Sequence, residues 1–141
     1  MINDGLNLKG KLAISLNGQV VKEVDNIVVT TGKNYVASRM KDATATAMSH
    51  MAIGSGTTNP AAGDTALETE LGRVALTSTA VSNAVVTYTA TFAAGTGTGA
   101  VTEAGILNAS SSGTLLCRTE FSVVNKGAAD SMTITWTVTV S

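Results

Sequence analysis

The sequence has few of the residues on which most protein chemistry depends. It contains one cysteine and one histidine, which excludes an intrachain disulfide, a thiolate zinc site and most histidine-based metal cages. Charged residues make up only 13% of the chain, against about a quarter in an average globular protein. Nine basic and ten acidic residues leave a net charge of −1, so we expect no nucleic-acid or anionic-lipid partner.

Long apolar runs are also absent. No stretch approaches the roughly 20 apolar residues that a membrane helix needs, so no membrane partner is expected. The first residues, Met1–Gly5, lack the basic and apolar regions of a signal peptide, and we expect no such leader. The low charge gives little electrostatic resistance to association, which favours a chain that functions within an assembly.

The chain is instead rich in segments where apolar and hydroxyl side chains alternate, the pattern of half-buried strands. Leu6–Leu16 alternates in this way, and Asn17-Gly18 after it predicts a hairpin turn. The clearest strand lies at the C-terminal end, from Ser131 to Ser141, and carries no charged side chain. We expect that strand to be central in its sheet or to pair with a neighbouring chain by edge addition.

Seven or more short strands with frequent turn signals predict a mainly β protein with one or two short helices. We expect a single β-sandwich or jelly-roll-like domain over residues 6–141, preceded by a flexible polar arm at residues 1–5. One helix is predicted at residues 32–41, which carry a short apolar stripe. A second is predicted at residues 66–71, because Thr65 and Glu68 have the spacing of a capping box.

The groups that most often carry chemistry all have a simpler structural interpretation here. His50 has no nucleophile motif near it, and Cys117 lies in an apolar strand, as buried free thiols often do. The glycine-rich stretches at residues 54–56 and 95–99 lack the sequence context of a phosphate loop. We therefore interpret both stretches as turns.

Acidic residues are too scattered to predict a reactive site. Asp64 and Glu68 are expected at the start of the second helix, where negative charge is favoured, and with Glu70 they lack the spacing of a calcium loop. Glu103 and Glu120 lie in separate strands, and nothing supports them as an acid–base couple. Three basic residues are expected in ion pairs or interfaces: Arg73, Arg118 and Lys126. We predict that the protein is not an enzyme and has no catalytic residue, no cofactor and no metal site.

Five blocks distributed over most of the chain carry a resemblance to a known protein family. They are VTTGKN at 29–34, HMAIGSGTT at 50–58, AAGDTALETELGRV at 61–74, GTGAVTEAGI at 97–106 and VNKGAADS at 124–131. Together they resemble the small virion structural proteins encoded by tailed bacteriophages. Similar segments occur in short capsid-associated proteins and in proteins described as tail fibre. The resemblance brings no catalytic residues with it.

Within that family the physics of the chain favours the capsid. A fibre must be long, which usually requires repeats or extended trimeric elements, and this chain has none. We expect a cement (decoration) protein that binds the major capsid protein on the outer capsid surface of the virion, as a homotrimer or homodimer. A tail or tail-fibre-associated protein is the alternative within the same family. A small sugar-binding or hydrolytic module is the alternative of another class.

Four residues are expected to contact the partner. A polar arm beside an amphipathic helix can become ordered on binding, so the contacts are predicted in the arm and near the first helix. The predicted contact residues are Ile2, Leu6, Tyr35 and Arg39.

Overall fold

The computed structural model describes residues 5–41 and 45–141, and these form nine strands and one helix. In chain order the elements are β1 Leu8–Leu16, β2 Gln19–Val28, α1 Thr30–Lys41, β3 His50–Gly54, β4 Glu70–Ala75, β5 Ser78–Ser82, β6 Val85–Phe92, β7 Gly99–Leu107, β8 Leu115–Lys126 and β9 Met132–Val140. With 54% of residues in strands and 9% in helix, the protein is mainly β, as predicted. No helix in the described ranges is long and apolar enough for a bilayer crossing.

The strands form one antiparallel sheet that curls until its two halves face each other. Their order is β4-β3-β7-β8-β2-β1-β9-β6-β5. β2 makes the bend on one side, because residues 19–26 pair with β1 whereas Ile27 and Val28 pair with β8. On the other side the chain passes from β4 to β5 through Leu76 and Thr77, whose amides keep bonding to neighbouring backbone. The result is the predicted β-sandwich-like architecture.

The main core fills the space between the two halves of the sheet. At its centre is Trp136, fully buried, whose indole nitrogen donates a hydrogen bond of 2.7 Å to Asn26 Oδ1. A smaller cluster lies on the opposite face of β3 and β7, since Ala52 and Leu107 alternate with residues of the main core. Leu67, from the long β3–β4 connection, packs into this second cluster. The connection therefore forms a third layer over the sheet.

The uncharged last strand, β9, lies in the middle of its half of the sheet. It pairs with β1 over Leu8–Leu16 and with β6 over Val85–Phe92. The prediction of a central position is confirmed, and the alternative of edge addition through this strand is wrong. The backbone amides and carbonyls on both sides of β9 pair with strands of the same chain, so none of them can pair with a strand of a neighbouring chain.

The predicted second helix at residues 66–71 is wrong. The chain there is an irregular loop until β4 begins at Glu70. The amides of Glu68 and Thr69 do not cap a helix but donate to the carboxylate of Glu103, at 2.9 and 2.7 Å. Glu68 itself turns its side chain toward Thr57. Bonding to a distant strand has replaced the local capping box.

Helix α1 is the single helix of the described residues, and it begins two residues earlier than the predicted range 32–41. Gly32 is buried against β8, and a Cβ atom there would lie 2.0 Å from the carbonyl oxygen of Leu116. Tyr35 and Val36 pack against the main core. The exposed side chain of Met40 does not continue this apolar stripe. The absence of a side chain at residue 32 sets how closely the helix approaches the sheet.

Gly32→Ala is expected to destabilise the fold by about 1–3 kcal/mol, since the added methyl group must displace backbone atoms of β8. The free energy of unfolding can be measured in guanidinium chloride by the fluorescence of Trp136, the only tryptophan. Gly63→Ala is the matched control, because a Cβ atom at that position meets nothing within 4 Å. Equal stability of the two variants would contradict the close contact of α1 with β8.

Candidate partner-binding cleft and its polar anchor

An apolar cleft opens between helix α1 and the half of the sheet that contains β5, β6 and β9. Its volume is about 390 Å³. The helix contributes Tyr35, Val36 and Arg39 to one wall. The rest of the lining is mainly aliphatic and comes from the strands and the segment before β3: Leu8, Ala47, Met48, Thr79, Val81, Val86, Tyr88, Leu116, Val138 and Val140.

A second hollow of about 270 Å³ extends the cleft along the helix toward the N-terminal end of the chain. The two share Leu8, Val36 and Val140. Leu6 lines the second hollow and is 69% exposed. Val81, at the opposite rim, is 71% exposed.

Three of the four predicted contact residues therefore surround one surface. Tyr35 and Arg39 line the cleft, and Leu6 lines its extension. Arg39 crosses the end of the helix and donates a hydrogen bond of 2.8 Å to the carbonyl oxygen of Ala45. Ile2, the fourth residue, lies outside the described residues, as do residues 1–4 of the predicted arm. That these residues contact a partner stays a prediction.

Charge is scarce on the floor of the cleft. Tyr88 is largely buried there, and its burial raises the pKa of its phenol to about 12. The phenol therefore stays neutral at physiological pH. A ligand for the cleft and its extension must match an apolar floor and a rim that carries the guanidinium group of Arg39 and the ammonium group of Lys33.

Behind the cleft, on the outer face of the other half of the sheet, a buried carboxylate holds the β3–β4 connection in place. Glu103 of β7 is fully buried and accepts hydrogen bonds from the amides of Gly56, Glu68 and Thr69, at 2.7, 2.9 and 2.7 Å. Nε and Nη2 of Arg118 each lie 3.0 Å from its Oε1. Five donors thus surround one carboxylate, so the buried charge is fully compensated.

Arg118 extends the anchor further along the loop. Its Nη1 lies 3.0 Å from Oδ2 of Asp64, and its Nη2 donates to the carbonyl oxygen of Thr58 at 3.1 Å. Asp64 also accepts from the amide of Ala61, which closes a turn. The guanidinium group therefore ties two separate points of the connection to β8.

Two glycines make room for the anchor. At Gly54 a Cβ atom would lie 2.6 Å from Oε2 of Glu103, and at Gly56 it would lie 2.4 Å from the same oxygen. The stretch 54–56 is therefore not the turn that the sequence predicts, because Gly54 is the last residue of β3 and both glycines lie against the carboxylate of Glu103. Its glycines let the backbone approach a carboxylate.

Glu68 holds a more exposed part of the β3–β4 connection in place. Its carboxylate accepts hydrogen bonds from the Thr58 hydroxyl and from the amides of Thr57 and Thr58. The bond from the Thr58 hydroxyl, and then the two amide bonds, lower the pKa of Glu68 below its usual value of 4.5. Asp64 and Glu68, which were expected at the start of a helix, instead accept hydrogen bonds that hold the β3–β4 connection in its conformation.

The remaining candidate residues have structural roles. His50 is half-buried, with Nδ1 2.8 Å from the hydroxyl of Ser49. Cys117 is fully buried, as predicted, and burial raises the pKa of its thiol well above the usual range. Arg73 pairs with Glu70 at 2.7 Å, as expected. In the described ranges no group of three or more histidine, cysteine, aspartate or glutamate residues could hold a metal ion.

Lys126 and the turn after it form a smaller anchor at the end of β8. The buried lysine donates to the carbonyl oxygens of Ala93 and Asp130, at 2.9 and 2.7 Å. The Asp130 carboxylate accepts from Asn17 of the β1–β2 hairpin and from the amide of Gly127. These bonds, the one from Asn17 first, lower the pKa of Asp130. Lys126 was expected in an ion pair or an interface, and it is instead buried with its hydrogen bonds directed to carbonyl groups.

Sequence reasoning missed Glu103 as the centre of the anchor. A signal was present, because Glu103 is the one charged residue in the run GAVTEAGIL that forms β7. A charge inside a buried strand requires a partner. Which residues supply that partner cannot be read from the strand itself.

Three of the five blocks quoted in the sequence analysis meet at this anchor. Glu103 belongs to the block at 97–106, and its bonding partners Gly56 and Glu68 belong to the blocks at 50–58 and 61–74. The amide of Thr30, in the block at 29–34, donates to the carbonyl oxygen of Ala62 at 2.8 Å. The resemblance therefore resides in residues that hold the fold together.

Comparisons with protein-family models, with curated proteins and with solved structures found no match for this chain. The resemblance of the sequence blocks thus enters the functional argument as a hypothesis.

Glu103→Ala is expected to lower the free energy of unfolding by about 3–5 kcal/mol, because it leaves Arg118 buried beside an unpaired loop. Guanidinium chloride unfolding measures the change. Glu23→Gln, at an exposed position of β2, is the control and is expected to stay within about 0.5 kcal/mol of the parent. A loss of less than about 1 kcal/mol for Glu103→Ala would show that the anchor is not needed.

Acid is expected to loosen the β3–β4 connection. The pKa of Glu68 is lowered in the folded state, so its stabilising effect is present above pH 4.5 and is lost as the pH falls through the lowered pKa. The guanidinium chloride concentration at which half of the protein is unfolded should therefore decrease as the pH is lowered from neutral to about pH 3. The decrease should be smaller in Glu68→Gln. An identical pH dependence in the parent and in Glu68→Gln would refute this role of Glu68.

Proposed function

We propose that this chain is a structural protein of a tailed bacteriophage virion, a cement protein that binds the major capsid protein on the outer surface of the shell. The single observation that carries a binding role is the apolar cleft beside α1, with Leu6 and Val81 exposed on its rim. The resemblance of the five sequence blocks directs the proposal to phage virions. Binding only to the mature lattice would stabilise that lattice by mass action.

The chemistry of the cleft defines the segment of the capsid protein that would bind. The apolar floor of the cleft fits a short segment with aliphatic side chains. Leu6 would gain from being covered, since its apolar side chain is 69% exposed beside the extension of the cleft.

The proposal gives the chain no catalytic role. The fully buried charged side chains are engaged in holding loops: Glu103 and Arg118 at the β3–β4 connection, and Lys126 at the turn after β8. Nδ1 of His50 lies 2.8 Å from the Ser49 hydroxyl, and within residues 5–41 and 45–141 no carboxylate bonds to the imidazole as a catalytic triad requires. In this proposal the buried charged side chains hold loops in place and take part in no reaction.

Leu6→Asp is expected to weaken binding to mature shells of the major capsid protein by about tenfold or more, because a carboxylate replaces apolar surface at the contact. Co-sedimentation of the full-length protein with shells measures the affinity. Val123→Asp is the matched control, since this exposed valine of β8 lines neither the cleft nor its extension. Equal affinity of both variants would place the capsid contact elsewhere and would contradict the proposed site.

The position in the virion is tested by electron cryo-microscopy of particles that contain the chain. Density spread over the shell in hundreds of copies supports the cement function. Density confined to one vertex would contradict it and would favour the alternative of a tail or tail-fibre component. Particles without the protein should also release DNA at a lower temperature than complete particles.

A further inference from the structure

The sheet has one open edge without the usual protection. β5, Ser78–Ser82, is the last strand in the sheet order, and all of its residues are exposed. It pairs with β6 in an unbroken register from Ser78–Thr89 to Ser82–Val85. A regular edge strand presents a row of backbone donors and acceptors that a further strand can bind.

The other end of the sheet shows what protection looks like in this protein. β4 carries Glu70 and Arg73, which form an ion pair, and its register with β3 is interrupted beside Gly54. Charges and irregular register are the devices by which natural proteins prevent further strands from adding to an edge. The sequence of β5, STAVS, has no charge, no proline and no irregularity.

The sequence of β5 is close to its own reverse, because serine stands at both ends and only threonine and valine exchange places. When two copies of STAVS run antiparallel about a two-fold axis at Ala80, serine faces serine, threonine faces valine, and alanine faces alanine. Threonine and valine have nearly the same shape, and both favour strands. An isologous dimer requires such self-complementarity, because both copies use the same surface: if one residue contacts a second residue of the other copy, the reverse contact is also made.

We propose that two copies of this protein pair through β5, antiparallel and centred on Ala80, so that the β5–β6–β9–β1 half of the sheet continues from one copy into the next. The partner is a second copy because an uncharged edge that is complementary to itself carries no feature selecting a different protein. The inference stands without the proposed function, since it concerns the edge strand alone.

The pairing has a consequence for the cleft. Thr79 and Val81 of β5 line it, and an antiparallel two-fold pair places the same face of both copies on the same side of the joined sheet. The two clefts then lie next to each other on one face of the dimer. A dimer would present the partner with two equivalent apolar sites.

Cysteine cross-linking tests the register. Ala80→Cys should form a disulfide dimer under mild oxidation, because directly opposed residues lie about 4.5–5.5 Å apart. Ser78→Cys and Ser82→Cys should each fail alone, since identical residues two positions from the axis are about 14 Å apart. Their equimolar mixture should cross-link, as Ser78 of one copy faces Ser82 of the other.

Two controls make the cross-linking result specific. The unmodified protein should not cross-link, because its one thiol, Cys117, is fully buried. Ala128→Cys, on the exposed turn after β8, should react only at the rate of random collision. Cross-linking of Ser78→Cys alone as efficiently as Ala80→Cys would overturn the proposed register.

Charge exchange at the axis tests the dimer in solution. Sedimentation equilibrium of the full chain should show a reversible monomer–dimer exchange. Ala80→Lys and Ala80→Glu should each be monomeric, because like charges oppose each other, whereas their mixture should dimerise again. A parent protein that stays monomeric, that forms trimers, or whose dimers survive Ala80→Lys would refute pairing through β5.

Discussion

The structure depends on one buried carboxylate. Glu103 is the point at which three amides of the β3–β4 connection and the guanidinium group of Arg118 converge on the outer face of the sheet. Removing a charge from water is costly unless each of its hydrogen-bonding positions finds a donor. The loop is therefore held in one conformation, and Leu67 from the same loop seals the smaller apolar cluster. A chain with few charges places two of them where their effect on the fold is large.

The low charge of the rest of the chain has a different consequence. β9 carries no charged side chain, and it is harmless because β1 and β6 pair with both of its sides. β5 has the same composition at an open edge, where nothing in the described part of the sheet covers it. An uncharged strand is thus fully paired in the case of β9 and leaves one side of its backbone open to pairing in the case of β5. Only its place in the strand order distinguishes the two.

The segments with the family resemblance and the surfaces proposed to bind partners are largely different residues. The resemblance resides in Gly56, Glu68, Glu103 and the turn that contains Asp130, which bond to one another or brace the loops. The cleft is lined by side chains of α1, β6 and β9, and the open edge is β5. Such a division lets one framework support different contacts.

The sequence by itself determined the mainly β class, the Asn17-Gly18 hairpin, the apolar last strand and the burial of Cys117, because alternation and turn chemistry are local properties. It also directed attention to Leu6, Tyr35 and Arg39, which the fold brings to one cleft. It failed at residues 66–71, where a local capping signal competes with bonds to Glu103 across more than thirty positions of sequence. The strand order was decided only in three dimensions. The curl of the sheet decides which edge strand stays open and which charged side chains are buried together. No local sequence pattern predicts this curl.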